Sequence, residues 1–292
     1  MVTLRIRHRT TYCYGKPVGP RPHRLMLRPR ESPELRLRSM ELTVEPHAVV
    51  TWAQDVAGNM VATATFQTMT DSLIIDSVAE LELDAAAYPV FDIASSVIFY
   101  PFRYSDDEWT DLGALRTPQY LDSRGQLREW VRGFVRINPT DTLSLLKDVN
   151  AGILAWVSYQ ARDEEGTQSP AYTLERGRGS CRDMAVLFVE AVRTLGFGAR
   201  IVSGYLHEPA GDTAGSEGAG TMHAWAEVYL SGAGWITFDP TNRSVGGANL
   251  IPVAVGRDIL QVTPVTGSFV GTSDAFEGMS VEVRVSSMSP PS

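Results

Sequence analysis

The 292-residue chain holds two cysteines, and only Cys181 stands where a thiol could act as a nucleophile. It follows the loop Gly177-Arg178-Gly179-Ser180 and opens a strongly apolar helix predicted over residues 181–195. A thiol at a helix N-terminus faces unpaired N–H groups and the positive end of the macrodipole, and both favour the thiolate. The glycines let backbone approach a carbonyl closely, and the Cys181 amide could donate to the oxyanion formed on attack. A lone cysteine is also commonly a small buried hydrophobe, so position alone leaves both readings open. Cys13, in a strand-like run between Tyr12 and Tyr14 with no histidine to pair with, reads as inert.

A nucleophilic thiol needs a base. His8, His23 and His47 lie in a strand-rich region without an acidic neighbour at useful spacing, and His207 sits at a strand end. His223 opens a strand, and Asp239, sixteen residues later, ends the next. A histidine held by a carboxylate across a hairpin is the base-plus-orienter arrangement of nucleophilic catalysis. The register tests it. If all four residues of Ser231-Gly232-Ala233-Gly234 form the loop, Ala226 pairs with Asp239, and His223 and Asp239 point to opposite faces. A working constellation therefore requires an odd connection or a bulge, with Asp239 opposite residue 225 or 227.

The elements that must position these groups follow from periodicity. Residues 1–85 read as a β-sandwich-like module, with alternating runs at 2–11, 35–46, 62–70 and 73–83. An extended, Pro-interrupted stretch covers 21–30, and Val56-Ala57-Gly58-Asn59 reads as a turn. Residues 86–120, with Pro89 and Pro101, form a linker, and residues 121–292 form a core with C-terminal strands. Helices are predicted at 123–136, capped by Asp122 or Ser123, and after Pro139, capped by Asp141. The second carries Leu145, Leu146, Val149, Ile153, Leu154 and Val157 as a core-facing stripe. Strands are predicted at 199–206, 223–230, 235–239, 250–255, 259–263 and 281–285. Strands, then helices, then strands make an α+β fold.

Composition narrows the function classes. With 43% hydrophobic and 21% charged residues, disordered, collagen-like and coiled-coil chains are excluded. Two cysteines with no CxxC make neither a disulfide framework nor a structural zinc site. The start, MVTLRIRHRTTYCYG, has no apolar h-region, and no apolar run approaches the roughly 18–20 residues that span a bilayer. A cytoplasmic protein with no membrane partner is expected. Residues 1–40 carry ten Arg or Lys against two Glu, a local +8 within a net charge of −8. Those charges alternate with apolar residues, as in Leu4-Arg5-Ile6-Arg7, and read as the wet face of strands, not as a nucleic-acid surface.

Three stretches carry a resemblance: Gly177-Arg178-Gly179-Ser180-Cys181-Arg182-Asp183, Met222-His223-Ala224-Trp225-Ala226-Glu227-Val228-Tyr229, and Gly234-Trp235-Ile236-Thr237-Phe238-Asp239-Pro240-Thr241. In order and spacing they are similar to the three core motifs of the bacterial transglutaminase-like (candidate cysteine protease) family. Arg9-Thr10-Thr11-Tyr12 and His23-Arg24-Leu25-Met26-Leu27-Arg28-Pro29-Arg30 resemble its N-terminal β-module, and Val253-Ala254-Val255-Gly256-Arg257-Asp258 its segment after the triad.

The resemblance implies a papain-like core, its Cys helix packed on an antiparallel sheet bearing His and Asp. Carried over, Cys181 is the nucleophile, His223 the general base and acid, and Asp239 the orienter. Asp183 matches the motif too and reads as a stabiliser of the helix N-terminus. Trp225 and Trp235 would wall the site or pack beneath it, and Tyr159 or Tyr172 could supply a second oxyanion donor; Trp225, Tyr159 and Tyr172 make up the expected substrate-binding set. The implied reaction is acyl transfer or hydrolysis at an amide of a protein or peptide, through a thioester and without metal or organic cofactor. Two alternatives stay open: a cysteine peptidase or amidase with water as sole acceptor, and a non-catalytic peptide-binding scaffold. A peptide N-glycanase role lacks its paired-cysteine zinc site. The small polar loop at 208–221, leading into His223, reads as a lid.

Overall fold

A computed structural model of the chain describes residues 1–162, 166–207, 221–272 and 274–288. The chain opens with six strands: β1 (Val2–Pro20), β2 (His23–Leu25), β3 (Leu35–Glu45), β4 (Ala48–Gln54), β5 (Met60–Phe66) and β6 (Thr70–Leu83). In β6 the odd positions Leu73, Ile75, Ala79, Leu81 and Leu83 are buried, the period-2 signature of a strand with one wet face. The strand β4 had no such signal. It is a sheet edge with no buried residue, so nothing in it alternates. β1 runs well beyond the predicted 2–11, because its pairing with β6 resumes at Val18 after a register shift that follows Cys13.

Short strands β7 (Phe99–Tyr100) and β8 (Thr140–Asp141) pair across the next stretch. Between them lie α1 (Asp106–Leu112), closed by a Ser105/Glu108 capping box inside the predicted linker, and α2 (Gln126–Arg132). The N-cap of α2 is Gly125 at φ 69°, not Asp122 or Ser123. In α3 (Thr142–Trp156) the cap is Asp141, whose carboxylate accepts from Ser144 N at 2.7 Å. Then follow β9 (Ser158–Tyr159), α4 (Pro170–Arg176), β10 (Arg178–Gly179) and the central helix α5 (Cys181–Thr194). The core sheet comprises β11 (Ala199–Leu206), β12 (Thr221–Leu230), β13 (Gly234–Asp239), β14 (Ser244–Val245) and β15 (Leu250–Gly256), ordered β14-β13-β12-β11-β15. Residues 259–262, expected as a strand, form a 3-10 turn in which the Asp258 carboxylate accepts from Leu260 N.

Three more strands close the chain: β16 (Val265–Thr266), β17 (Phe269–Val270) and β18 (Phe276–Met288). The sequence boundaries group them with the core, but their partners are N-terminal. β16 pairs with β2, β17 with the end of β1, and β18 runs antiparallel to β1 from Thr3 to Tyr14. The sandwich is thus completed by both ends of the chain.

Helix α5 is buried along most of its length, from Asp183 to Arg193. Its Ala185, Phe188 and Val192 share one core with Ala224, Ala226, Val228 and Leu230 of β12. The alternate position Trp225 belongs to a separate small cluster with Val202, Leu250 and Val255, against which Ala57 of the N-terminal turn packs. The core sheet is therefore held by a helix on one face and by the β-module on the other. No helix among the described residues is long and apolar enough to cross a membrane.

Candidate active site

Helix α5 begins at Cys181 because Ser180 and Asp183 close its first turn. The Asp183 carboxylate accepts from Ser180 N at 2.8 Å and Ser180 Oγ at 2.9 Å. It is fully buried, and it also accepts from Gln168 N at 2.7 Å, Gln168 Nε2 at 3.1 Å and Arg162 Nη1 at 2.7 and 2.9 Å. Burial would push this carboxyl up, yet these donors hold it below the usual aspartate value. Asp183 therefore pins the residues before α4, the Gly-rich loop and the helix start into one unit. Gly179 is obligatory there, since a Cβ would sit 2.9 Å from Asp183 Cβ.

The His/Asp pair depends on the hairpin register. Leu230 pairs with Gly234 and Ala226 with Phe238, so only Ser231, Gly232 and Ala233 form the connection. It is odd. One step further along the ladder puts Asp239 opposite Trp225, on the side of β12 that carries His223. The His223 Nε2 to Asp239 Oδ2 distance is 2.8 Å, with both side chains buried.

With Nε2 committed to Asp239, Nδ1 is the nitrogen left to face Cys181, whose thiol feels His223 and the Ala224 N–H. Burial opposes a charged thiol here, but the His223 hydrogen bond and charge, the Ala224 amide and Arg182 outweigh it and lower its pKa. Burial likewise opposes a charged imidazole, but Asp239 and Cys181 raise His223 to about 9. Both shifts act in favour of a thiolate–imidazolium pair. Asp239 is held low by His223 and by donors that overcome its own burial: Asn242 Nδ2 at 2.7 Å on Oδ2, and Thr241 N at 2.9 Å on Oδ1.

The other expected site residues divide. Trp225 is only 1% exposed, so it cannot contact substrate; it packs behind His223, with ring centroids 6.0 Å apart and planes at 28°. Trp235 lies away from the thiol, its ring covered by the Arg200 guanidinium at 4.1 Å. Tyr159 is half exposed and pairs with Gly179 across the parallel β9–β10 ladder, two residues before Cys181. Its phenol is pushed up by burial and by the charge of Cys181. Tyr172 lies on the first turn of α4, where its N–H donates to Ser169 Oγ. The expected lid, residues 208–221, lies outside the described residues apart from Thr221, the first residue of β12. Sequence reasoning missed Asn242, Gln168 and Arg162. Asn242 could have been found, because Asp-Pro-Thr-Asn is a turn in which an Asp side chain caps the following amides.

An α+β fold that sets a thiol at a helix N-terminus against a strand-borne histidine is the architecture of transglutaminase-like cysteine enzymes. Residues 4–82 match the family model of the bacterial transglutaminase-like N-terminal region, and residues 128–240 that of the transglutaminase-like superfamily. The second match spans the segments that carry Cys181, His223 and Asp239, so residues 128–240 form a transglutaminase-like region. It is similar to the uncharacterized protein Mb2599c of Mycobacterium bovis, 26% identical over 280 residues, which are 92% of this chain and 88% of the relative. A 98-residue stretch is 38% identical to the uncharacterized protein ML0607 of Mycobacterium leprae, covering 34% of each chain. Among solved structures, a candidate cysteine protease from Cytophaga hutchinsonii shares the fold with a TM-score of 0.74 at 20% identity, over 99% of this chain and 92% of that one.

Proposed function

We propose that the protein catalyses acyl transfer or hydrolysis at an amide of a protein or peptide, through a thioester on Cys181. The observation that supports this reading is the buried His223–Asp239 pair, whose imidazole acts on the Cys181 thiol at the start of α5. The thiolate attacks the amide carbonyl, and the carbonyl electron pair moves onto oxygen, where the Cys181 N–H donates. Collapse expels the amine, which takes its proton from the His223 imidazolium. Neutral His223 then deprotonates an incoming amine or water as it attacks the thioester, which returns the thiolate and releases a new amide or an acid. Tyr159, whose backbone pairs with Gly179, is the candidate for the second oxyanion donor.

Transfer and hydrolysis differ only in the acceptor. Incubating the protein with a glutamine-containing peptide, with and without a primary amine, separates them by product mass: amine adduct for transfer, acid for hydrolysis. Cys181→Ala should yield neither. An unchanged peptide and no acyl adduct on Cys181 in the wild type would reject the reading in favour of a binding scaffold.

A further inference from the structure

Three strands of the core sheet share a transverse row: Val255 pairs with Val202, and Val202 with Trp225. The odd hairpin extends that row to Asp239. The N-terminal module grips its far end. Asn59, buried in the turn after β4, donates through Nδ2 to Val255 O at 2.8 Å and accepts from Val255 N at 2.8 Å. The turn itself is built to hold that side chain. Asp55 Oδ1 accepts from Ala57 N and Asn59 N, each at 2.9 Å, and Asp55 Oδ2 accepts from Asn59 Nδ2 at 2.9 Å. Arg30 Nη1 donates to Asn59 Oδ1 at 2.6 Å, and Gly58 supplies the left-handed residue at φ 76°.

Trp225 transmits this grip to the site. The hydrogen bond to Asp239 at one nitrogen and the interaction with Cys181 at the other hold the His223 ring along one line but leave it free to rock about that line. The indole lies against one ring face and removes that freedom. Gly204, directly opposite His223, makes room: a Cβ there would meet Trp225 Cη2 at 2.7 Å and collide with Ile251 O. Behind the indole, Val202, Leu250 and Val255 fill the space that Ala57 closes.

We infer that the N-terminal β-module is part of the active site's positioning apparatus: its Asn59 turn braces Trp225, a positioning residue, against His223. The inference rests on the proposed role of His223 as base. It explains why a module without a chemical group of its own is joined to the core through buried polar contacts.

The test is the pH dependence of Cys181 alkylation by iodoacetamide in the full chain, for Asn59→Ala, Trp225→Met and Trp225→Phe. Val49→Ser, on the exposed edge strand of the module, serves as control. Trp225→Met removes the flat ring and leaves a flexible, smaller side chain to fill part of its space. Loosening the imidazole weakens its hold on the thiolate, so Asn59→Ala and Trp225→Met should each slow alkylation at pH 6 by about five- to tenfold, with recovery above pH 8.5. Trp225→Phe, which keeps a flat ring, should recover most of what Trp225→Met loses, and Val49→Ser should follow the wild type. Asn59→Ser replaces Asn59→Ala should the latter not fold. Wild-type profiles in folded Trp225→Met and Asn59 variants would overturn the inference. A wild type that itself lacks reactivity at pH 6 would instead overturn the proposed function.

Discussion

The Nε2 of His223 lies 2.8 Å from Oδ2 of Asp239 across a hairpin with a three-residue connection. The parity of that connection decides whether the two side chains can meet, because one residue more or fewer turns Asp239 to the other face. The carboxylate then sets the charge of the imidazole, and the imidazole sets that of the thiol.

Asp239→Asn should preserve the shape of the pair while removing its charge. The His223 imidazolium, held up to about 9 mainly by Asp239 and Cys181 against burial, would then titrate lower. Each unit of that shift removes about tenfold of the ion pair at a given pH. Alkylation of Cys181 at pH 6 should fall by at least tenfold and recover towards pH 9, as read from a rate–pH profile.

His8 joins the β-module to the core sheet: its Nδ1 meets Tyr205 Oη at 3.1 Å and its Nε2 meets Thr10 Oγ1 at 3.0 Å. Burial lowers its pKa from 6.5 to about 4. The unfolded chain therefore binds a proton below pH 6.5 that the fold refuses until about pH 4. Stability from this group should fall as pH drops through that window, by about 3 kcal/mol in all, and level off below it. Thermal melts at pH 7 and pH 4.5 should show a larger loss in the wild type than in His8→Gln, since His23 and His207, also lowered by burial, contribute to both.

Asp183→Ala removes a buried carboxylate and strands its donors at Arg162, Gln168 and Ser180. Chemical denaturation should report a loss of about 3–5 kcal/mol at pH 7. Because this carboxyl is held below its ordinary value, its contribution is present above pH 4 and fades in acid as it protonates. The wild type and Asp183→Ala should therefore converge as pH falls.

Glu190 and Arg193, both almost fully buried in α5, tie the helix to distant backbone. Glu190 Oε2 accepts from Gln119 N and Tyr120 N, while Arg193 Nη2 donates to Ala199 O and Arg257 O. Glu190→Ala leaves an unpaired buried cation and should cost about 3–5 kcal/mol, whereas Glu190→Ala with Arg193→Met should recover part of it. A double-mutant cycle of denaturation midpoints measures the difference.

Local pattern made the site legible where chemistry is local. Cys181 at a helix start, Asp141 as a cap, the alternation of β6 and the need for an odd hairpin all follow from a few neighbouring residues. Long-range pairing left no such trace. Nothing in the run of β18 says that its partner is β1, 262 to 285 residues earlier, and β4, a sheet edge with no buried residue, has no alternation to read. The role of Trp225 was ambiguous for the same reason: wall or floor depends on what covers the other sheet face, and that cover is Ala57 from the distant β-module.

The most direct measurement is the rate of Cys181 alkylation by iodoacetamide from pH 5 to pH 8, with Cys181→Ala and His223→Ala as controls. A thiolate–imidazolium pair predicts fast labelling throughout that range, absent in Cys181→Ala and strongly slowed below pH 7 in His223→Ala. A thiol that titrates near the ordinary value of about 8.5, unchanged in His223→Ala, would contradict it.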